Sequence, residues 1–302
     1  MEITTVLRNI LGVLAFPLTS WNLAMNKINE TAPPGEMIQT KHSNVHTIVS
    51  GKGEVTVILE AGLGSGSIDW CYVQPEISKF AKVISYDRGN YGWSRTSRKR
   101  LTSLDSVEEI KEVLEKLNLQ PPYLLVGHSF GGLSMRLFAS MYPDEVIGLV
   151  LEDAVHENQY IAGNENQKFK MLIIFGYVTS LMGIPRLVKQ KVGRKFLSKE
   201  YDKHLKYIGY TLGAYKAMYR EYIDSSLSAK QLLESKPLRE DLPLIVVSAE
   251  NPSEQWKQQQ LLLSTLTNKT EHIQTKVGHS IHLEEPKILI DNIKKLVVER
   301  DG

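Results

Sequence analysis

The sequence has only one cysteine, and its basic and acidic residues are nearly equal in number. Cys71 is the single cysteine among 302 residues, and one thiol cannot form an internal disulfide. A secreted scaffold stapled by disulfides and a zinc site built on a cysteine cluster are therefore excluded. With 36 Lys and Arg against 34 Asp and Glu, the net charge is only +2, which gives no reason to expect a nucleic-acid partner.

The overall composition is that of an ordinary folded protein. Hydrophobic residues make up 42% of the chain and charged residues 23%, close to the averages for soluble globular proteins. A disordered chain, a collagen-like chain and a polytopic membrane protein are therefore excluded. A length of 302 residues is compatible with two domains or with one large α/β domain.

The segment from Asn9 to Asn26 contains no charged residue and lies between Arg8 and Lys27. Its 18 residues reach the lower limit for a membrane-spanning helix, but Pro17 and several polar residues interrupt it. Three interpretations stay open: an amphipathic helix packed on the protein or lying on a membrane, which we favour; a membrane anchor; and a signal peptide, for which no cleavage site follows cleanly. We expect a cytoplasmic protein with residues 9–26 as its route to membrane association.

Strands alternate with helices along most of the chain, which predicts an α/β fold with a mostly parallel sheet covered by helices on both faces. Strand patterns occur at residues 37–40, 45–50, 55–59, 83–86, 123–126, 146–151, 244–247 and 273–277. Helical patterns occur at residues 75–80, 103–119, 133–141 and from 285 onward. Ser106 and Glu109 have capping-box spacing near the start of the second helix.

No convincing strand pattern lies between residues 156 and 240. This stretch instead predicts helices at residues 167–183, 185–196, 199–223 and 228–235. An all-helical insertion between two strands predicts a cap over the C-terminal edge of the sheet, where α/β sheets bind ligands. We therefore divide the chain into an N-terminal apolar or amphipathic segment (1–32), an α/β core (33–155 and 240–302) and a helical cap (156–239).

A strand-to-helix turn at residues 127–131 carries the sequence Gly-His-Ser-Phe-Gly. A G-x-S-x-G sequence in this setting is typical of a nucleophile elbow, in which a strained turn exposes the serine over the sheet edge. Gly127 and Gly131 leave room for a backbone that side chains would obstruct. The N-terminus of the following helix offers N–H groups to a developing oxyanion. Ser129 is therefore the candidate nucleophile.

A serine nucleophile needs a base, and the best candidate is His279. It follows the last predicted strand and so belongs to a loop at the same sheet edge. His282 is the competitor, although a structural role at the start of the next helix is the more favoured interpretation. His128 lies next to the nucleophile in sequence and should point away from it. His156 lies at the entrance to the cap and is a candidate pocket residue.

These residues, in this strand order, resemble the α/β-hydrolase superfamily. The similarity covers roughly residues 33–155 and 240–300, and the elbow is specific for the superfamily. It is carried by five motifs in the expected order, namely P-P-G at 33–35, L-E-A-G-L-G at 59–64, Y-D-R-G-N-Y-G-W-S at 86–94, G-H-S-F-G-G at 127–132 and G-H-S-I-H-L-E-E-P at 278–286. The resemblance implies the α/β-hydrolase fold and a Ser-His-acid triad in which His279 is the base.

Two positions depart from the superfamily pattern. Ala61 and Gly62 stand where members commonly carry His-Gly; because the oxyanion donors are backbone groups, the N–H groups of Leu63 and Phe130 remain the expected pair. The usual acid would follow the strand at 244–247, where this chain reads Ser-Ala-Glu-Asn-Pro with no aspartate.

Two carboxylates are candidates for the missing acid. Asp153 follows the strand at 146–151, a position that some lipases and dehalogenases use, and the chain order of Ser129, Asp153 and His279 is the one the fold requires. Glu250, one strand later, is the alternative. We favour Asp153 and expect Glu152 to face the opposite side of its strand.

The remaining residues of interest concern the substrate. Trp70 and His156 are candidate pocket residues. Asp87 and Arg88 either contact substrate or hold their loop by charge-assisted hydrogen bonds, and the second role is the commoner one for such a pair. The cap is apolar across residues 171–182 and then basic through Arg186, Lys189, Lys191, Arg194 and Lys195. That pattern is typical of a buried cap helix, or of an apolar lid with a basic rim that suits a lipid-like substrate.

The sequence thus predicts a serine hydrolase for an ester or lipid-like small molecule, with peripheral membrane contact through the N-terminus or cap. No metal or organic cofactor is needed for this chemistry. The alternatives are an acyltransferase or C–C bond hydrolase with the same triad, and a non-catalytic ligand-binding module on this fold. Epoxide hydrolase and dehalogenase chemistry is disfavoured, because those members carry aspartate where this chain has Ser129.

Overall fold

A computed structural model describes residues 3–161, 166–190, 194–250 and 253–298, and within these ranges the strands form one mixed sheet. The strands are β1 (Glu36–Gln39), β2 (Ser43–Ser50), β3 (Thr56–Glu60), β4 (Lys82–Tyr86), β5 (Arg95–Thr96), β6 (Tyr123–His128), β7 (Val146–Glu152), β8 (Leu244–Ser248) and β9 (Thr270–Gln274). Their order is β1-β2-β4-β3-β6-β7-β8-β9, with β5 paired to β2. Pairing is antiparallel from β1 to β4 and parallel from β4 to β9.

The helices comprise thirteen segments within the described residues. They are α1 (Ile3–Leu14), α2 (Phe16–Ile28), α3 (Gln74–Ile77), α4 (Ser103–Lys116), α5 (Gly131–Met141), α6 (Gln167–Thr179), α7 (Ile184–Leu187), α8 (Asp202–Ile208), α9 (Leu212–Ile223), α10 (Ser225–Leu233), α11 (Glu254–Leu263), α12 (Ile281–Glu284) and α13 (Pro286–Val298). Helices α6 to α10 all lie between β7 and β8, and we call them the helical insertion.

Both faces of the central sheet are buried, as parallel strands require. Alternation along β3 places Ile58 in the core on one face and Val57 and Leu59 in the core on the other. The first core also contains residues of α4 and α5, such as Ile110 and Phe138, and extends into the helical insertion. The second contains residues of α3 and α13. The expected α/β fold with helices on both faces is therefore what the structure has.

The N-terminal helices lie against the helical insertion. Thr5 Oγ1 of α1 is 3.0 Å from the Tyr177 hydroxyl of α6. The buried Asn22 side chain of α2 donates a 3.0 Å hydrogen bond to the carbonyl of Ser180. Among the described helices, none is by itself long and apolar enough to cross a bilayer; α1 and α2 reach that length and composition only together, and they meet at 99°.

Several local predictions need correction. The capping box of α4 is formed by Thr102 and Asp105, and not by Ser106 and Glu109, because the helix begins at Ser103. Strand β9 begins at Thr270, three residues before the predicted start; it is an edge strand whose residues are half-buried or exposed, so it lacks a clear apolar run. Where a helix is predicted at 185–196, the structure has a single turn, α7, at Ile184–Leu187. Residues 191–193 of the predicted helix lie outside the described part of the chain.

Candidate active site

Ser129 occupies the sharp turn between β6 and α5. Its backbone has φ of +51°, the left-handed region that is uncommon for residues other than glycine. Its N–H donates a 3.0 Å hydrogen bond to the carbonyl of Glu152 on β7, which ties the turn to the neighbouring strand. A Cβ at Gly131 would lie 2.6 Å from the Glu60 carbonyl oxygen. The turn is therefore fixed by close backbone packing, and it leaves the Ser129 side chain only partly buried.

The side chain of His279 lies between Ser129 and Asp153. Nε2 of His279 is 3.0 Å from the Ser129 hydroxyl oxygen, and Nδ1 is 2.5 Å from Oδ2 of Asp153. The ring is 48% exposed, whereas the Asp153 carboxylate is buried. Since a carboxylate can only accept, Nδ1–H donates to Asp153 and Nε2 is left to accept from the serine hydroxyl.

Asp153 sits just beyond β7 with φ of +38°. Its Oδ1 accepts hydrogen bonds from the backbone N–H of Ala249, at 3.0 Å, and from the indole N–H of Trp256, at 2.9 Å. Glu250, the alternative acid, is exposed, and its side chain has no hydrogen bond or ion pair within the described residues. The structure thus brings Asp153, and not Glu250, to His279. The neighbouring residues 251–252 lie outside the described part of the chain.

A second buried group lies behind this arrangement and joins Glu152, His282 and His128. Oε1 of Glu152 is 2.6 Å from Nδ1 of His282 and also accepts from the His282 N–H at 2.8 Å. Nε2 of His128 is 3.0 Å from the carbonyl oxygen of His279. These contacts join the nucleophile turn, the end of β7 and the His279 loop into one hydrogen-bonded unit.

Burial and charge set the protonation of this group. Burial lowers the pKa of His128 to about 3, so this ring is neutral near pH 7. Burial alone would raise the pKa of Glu152, but the adjacent His282 outweighs it and holds that pKa below its ordinary value. Burial alone would lower the pKa of His282, but Glu152 outweighs it and raises that pKa. Glu152 and His282 therefore form a buried ion pair.

The same three residues are the candidate metal ligands among the described residues, with ligand atoms within 4.8 Å of one another. However, Nδ1 of His282 is bonded to Glu152, and Nε2 of His128 is bonded to the His279 carbonyl. These two nitrogens therefore help to hold the His279 loop, whereas Nδ1 of His128 and Oε2 of Glu152 are buried without a hydrogen-bond partner among the described residues.

The predicted oxyanion donors belong to Leu63 and Phe130, and Phe130 directly follows Ser129 in the chain. Leu63 belongs to the loop after β3 and, with Ser129 and His279, lines the same cavity. Phe130 directly precedes α5, and its side chain is buried against Tyr160. Within the described residues, neither the Leu63 N–H nor the Phe130 N–H donates to a protein acceptor. Both groups therefore remain available to an anionic oxygen.

Arg88 holds the loop that carries Leu63. Its guanidinium donates to the carbonyls of Ala61 and Gly62, at 2.5 and 3.1 Å. It also donates to Glu60 at 2.6 Å and binds both oxygens of Glu221 on α9, at 2.8 and 3.0 Å. Burial raises the pKa of Glu60 to about 8, although the adjacent Arg88 acts in the opposite direction. Arg88 was predicted either to contact substrate or to hold its loop, and these contacts support the second interpretation.

A cavity of about 520 Å³ opens over Ser129, between the sheet edge and the helical insertion. Aromatic walls come from Tyr160, Phe169 and Tyr222, whose rings are 5.9–6.3 Å apart in successive pairs. The full set of lining residues is Leu63, Ser65, His128, Ser129, Val155, Gln159, Tyr160, Asn166, Phe169, Tyr222, Ser253, Gln255, Trp256, His279 and Ser280.

The two residues predicted to line the pocket do not do so. Trp70 is buried in the core behind the sheet, with its ring 4.9 Å from that of His282. His156 is buried beside Glu157 and accepts from the N–H of Asn158. The sequence analysis missed Trp256 and Tyr222. Trp256 lies on α11, a helix that was not predicted, although Ser253 three residues earlier carries the N-cap signal.

Comparison with known proteins agrees with this fold. Residues 55–286 match the family model of the alpha/beta hydrolase fold, so the chain belongs to the alpha/beta hydrolase family. The uncharacterized protein YqjL of Bacillus subtilis is 25% identical over 246 residues, covering 79% of this chain and 82% of that protein.

Solved structures show the same architecture. A mutant of a Pseudomonas aeruginosa protein provisionally named an epoxide hydrolase has a TM-score of 0.72 at 17% identity, over 89% of this chain and 98% of the other. A thermophilic esterase from Thermogutta terrifontis has a TM-score of 0.65 at 16% identity, over 90% and 97% of the two chains. At these identities the likeness shows the fold, and the chemistry must be argued from the site.

Proposed function

We propose that this hydrolase cleaves carboxylic esters with apolar acyl groups through a covalent intermediate on Ser129. The observation that carries the proposal is the unbroken line of hydrogen bonds from Ser129 through His279 to Asp153, at 3.0 and 2.5 Å. Nucleophile, base and orienting carboxylate in this geometry are the requirements for acyl transfer from a serine.

In the first step, the Ser129 hydroxyl oxygen attacks the ester carbonyl carbon while Nε2 of His279 takes the hydroxyl proton. Asp153 stabilises the imidazolium that forms, and the N–H groups of Leu63 and Phe130 bind the oxyanion. His279 then gives its proton to the departing alkoxide oxygen. The alcohol leaves, and the acyl group stays on Ser129.

In the second step, His279 takes a proton from water, and the resulting hydroxide equivalent attacks the acyl carbon. The second tetrahedral intermediate collapses, Ser129 regains its proton from His279, and the carboxylic acid leaves. The exposed edge of the His279 ring gives water access to Nε2. No group outside the described site residues is required for either step.

The nucleophile argues against the epoxide chemistry named for the structural relative. A carboxylate that opens an epoxide forms an ester, which water can hydrolyse. A serine hydroxyl that opened an epoxide would form an unactivated ether, and the enzyme would be trapped after one turnover. Ser129 therefore favours carbonyl substrates.

The cavity supports an apolar acyl group as the substrate portion near Ser129. Tyr160, Phe169 and Tyr222 form an aromatic wall on the side of the helical insertion, which we propose acts as the predicted cap. Burying an acyl chain against these rings is favourable by roughly 25 cal/mol for each Å² removed from water.

The test of this proposal is hydrolysis of p-nitrophenyl butyrate by the wild type and by Ser129→Ala. The substitution removes one oxygen from a partly buried site, so the variant should keep its melting temperature. Its kcat/KM should fall by about three orders of magnitude or more, as losses of catalytic nucleophiles do. A folded Ser129→Ala variant with more than about one-hundredth of the wild-type rate would contradict the assignment.

A further inference from the structure

Helix α1 presents its apolar stripe to solvent. Ile3, Leu7, Ile10 and Leu14 recur at helical spacing and are 45–85% exposed. The opposite side packs on the helical insertion, where a Cβ at Gly12 would collide with Leu181. An amphipathic helix of a globular protein normally buries its apolar stripe, so this orientation leaves an unpartnered face.

Helix α6, which contacts α1, carries a second exposed apolar stripe. Met171, Leu172 and Phe175 are 50–70% exposed, whereas Ile173 and Tyr177 of the same helix are buried. We call the two stripes together the apolar face. Exposed apolar side chains on two helices that pack together are typical of an interaction site.

The charged residues of the two segments that carry the apolar face have one sign. Residues 3–29 contain Arg8 and Lys27 and no Asp or Glu. Residues 166–199 contain eight Lys and Arg and again no acidic residue, although the whole chain has a net charge of only +2. Among them, Lys168, Lys189 and Lys195 have exposed side chains in the structure. The two segments that carry the apolar face thus contain ten basic residues and no acidic one, while the rest of the chain is net negative.

We propose that the apolar face docks on the surface of an anionic lipid bilayer, with its exposed side chains in the headgroup and acyl boundary. An exposed apolar stripe on a segment whose charged residues are all basic is the arrangement that interfacial helices use. A two-fold dimer through this face would bring these basic segments of two copies together, which disfavours a second copy as the occupant. Docking also brings Phe169, at the start of α6 and in the cavity wall, to the membrane side of the protein.

The proposal is tested by co-sedimentation of the full chain with vesicles of phosphatidylcholine containing 30 mol% phosphatidylglycerol. The partition coefficient should be at least about tenfold higher than for pure phosphatidylcholine and should fall in 0.5 M NaCl. Leu7→Glu combined with Ile10→Glu should reduce it by about tenfold or more. The matched control is Leu261→Glu with Leu262→Glu on α11, two exposed apolar residues outside the apolar face, which should change it less than about twofold.

Docking is independent of catalysis, so Ser129→Ala should bind vesicles like the wild type and the two proposals can fail separately. Equal binding by the Leu7 and Ile10 double variant, or no binding to either vesicle, would overturn the docking proposal. So would a wild-type dimer that this variant dissociates, because the occupant would then be a second copy. Protein that resists extraction by alkaline carbonate would indicate insertion across the bilayer and would equally overturn docking on its surface.

Discussion

Asp153 combines a buried carboxylate with a backbone conformation that few aspartates adopt. Its φ of +38° turns the chain immediately after β7, so that one oxygen meets His279 while the other accepts from Ala249 and Trp256. Non-glycine residues held in this region cost free energy, and they persist where the surrounding structure fixes them. The strain at Asp153 is therefore best explained by its position opposite His279.

A paired substitution tests which carboxylate completes the site. Asp153→Asn keeps the side-chain size and removes the charge, so the imidazolium formed during attack loses its partner and the unsuitable tautomer is favoured. We expect kcat to fall by about three to four orders of magnitude. Glu250→Gln should cost about tenfold or less, because an exposed loop charge acts only through screened electrostatics. The readout is p-nitrophenyl butyrate hydrolysis at pH 7, and the reverse pattern would move the acid to Glu250.

The sequence predicts that Ser129 and His279 lie together because each residue belongs to a short local pattern. The Gly-His-Ser-Phe-Gly turn specifies its own geometry through the strand before it and the helix after it. The acid lies in no such pattern. A carboxylate follows both β7 and β8 at the same sheet edge, namely Asp153 and Glu250, so the sequence leaves two candidates. The contact between Glu152 and His282 escaped prediction because no motif links the two residues, and only His282 was interpreted as structural.

At the scale of elements, the loop after β3 depends on a contact from the helical insertion. Arg88 binds two carbonyls of that loop and, on its other side, Glu221 of α9. The position of the Leu63 N–H is therefore coupled to the packing of α9 on the core. We therefore propose that Arg88 is a positioning residue, which acts through the backbone on the proposed oxyanion donor.

Arg88→Lys separates this positioning role from a merely structural one. A lysine cannot reach both carbonyls and Glu221 together, because it lacks the planar five-donor fork of arginine. We expect kcat to fall by about ten- to a hundredfold, less than the loss of a whole oxyanion donor, with KM nearly unchanged. A fall in melting temperature with an unchanged kcat would show that Arg88 only stabilises the fold.

Glu221→Gln provides the comparison for that experiment. It removes one negative charge but leaves Glu60 and the carbonyls of Ala61 and Gly62 as hydrogen-bond acceptors for Arg88. Arg88 then keeps its hold on the loop. We expect kcat to change by less than about threefold.

The elements themselves were predictable where hydrophobic periodicity is strong. The buried strands of the parallel sheet and the amphipathic helix α4 were located within a few residues of their bounds. The helical insertion was recognised by its lack of strand patterns, but its helix boundaries were not, since aromatic and apolar residues there pack on several neighbours at once. In α6 the apolar run divides into buried and exposed residues, a distinction that composition cannot reveal.

At the scale of the whole molecule, the site lies where three parts of the chain meet. The sheet edge supplies Ser129, Asp153 and His279, the helical insertion and the short segment before it supply the aromatic wall, and α11 supplies Trp256. Buried ion pairs fasten the insertion to the core, including Arg194 to Asp69 at 2.7 Å. The lining residues come from distant parts of the chain that meet only in the folded protein, so sequence motifs could not predict them.

The proposed mechanism requires the hydroxyl oxygen of Ser129 to become acylated, and covalent labelling tests this most directly. A fluorophosphonate probe, which reacts with activated serines, is incubated with the wild type and with Ser129→Ala, and the adduct is located by peptide mass spectrometry. We predict one adduct, on the peptide containing Ser129, and no labelling of the variant. A wild-type protein that stays unlabelled while it hydrolyses p-nitrophenyl butyrate, or an adduct on another residue that persists in Ser129→Ala, would contradict the proposed mechanism.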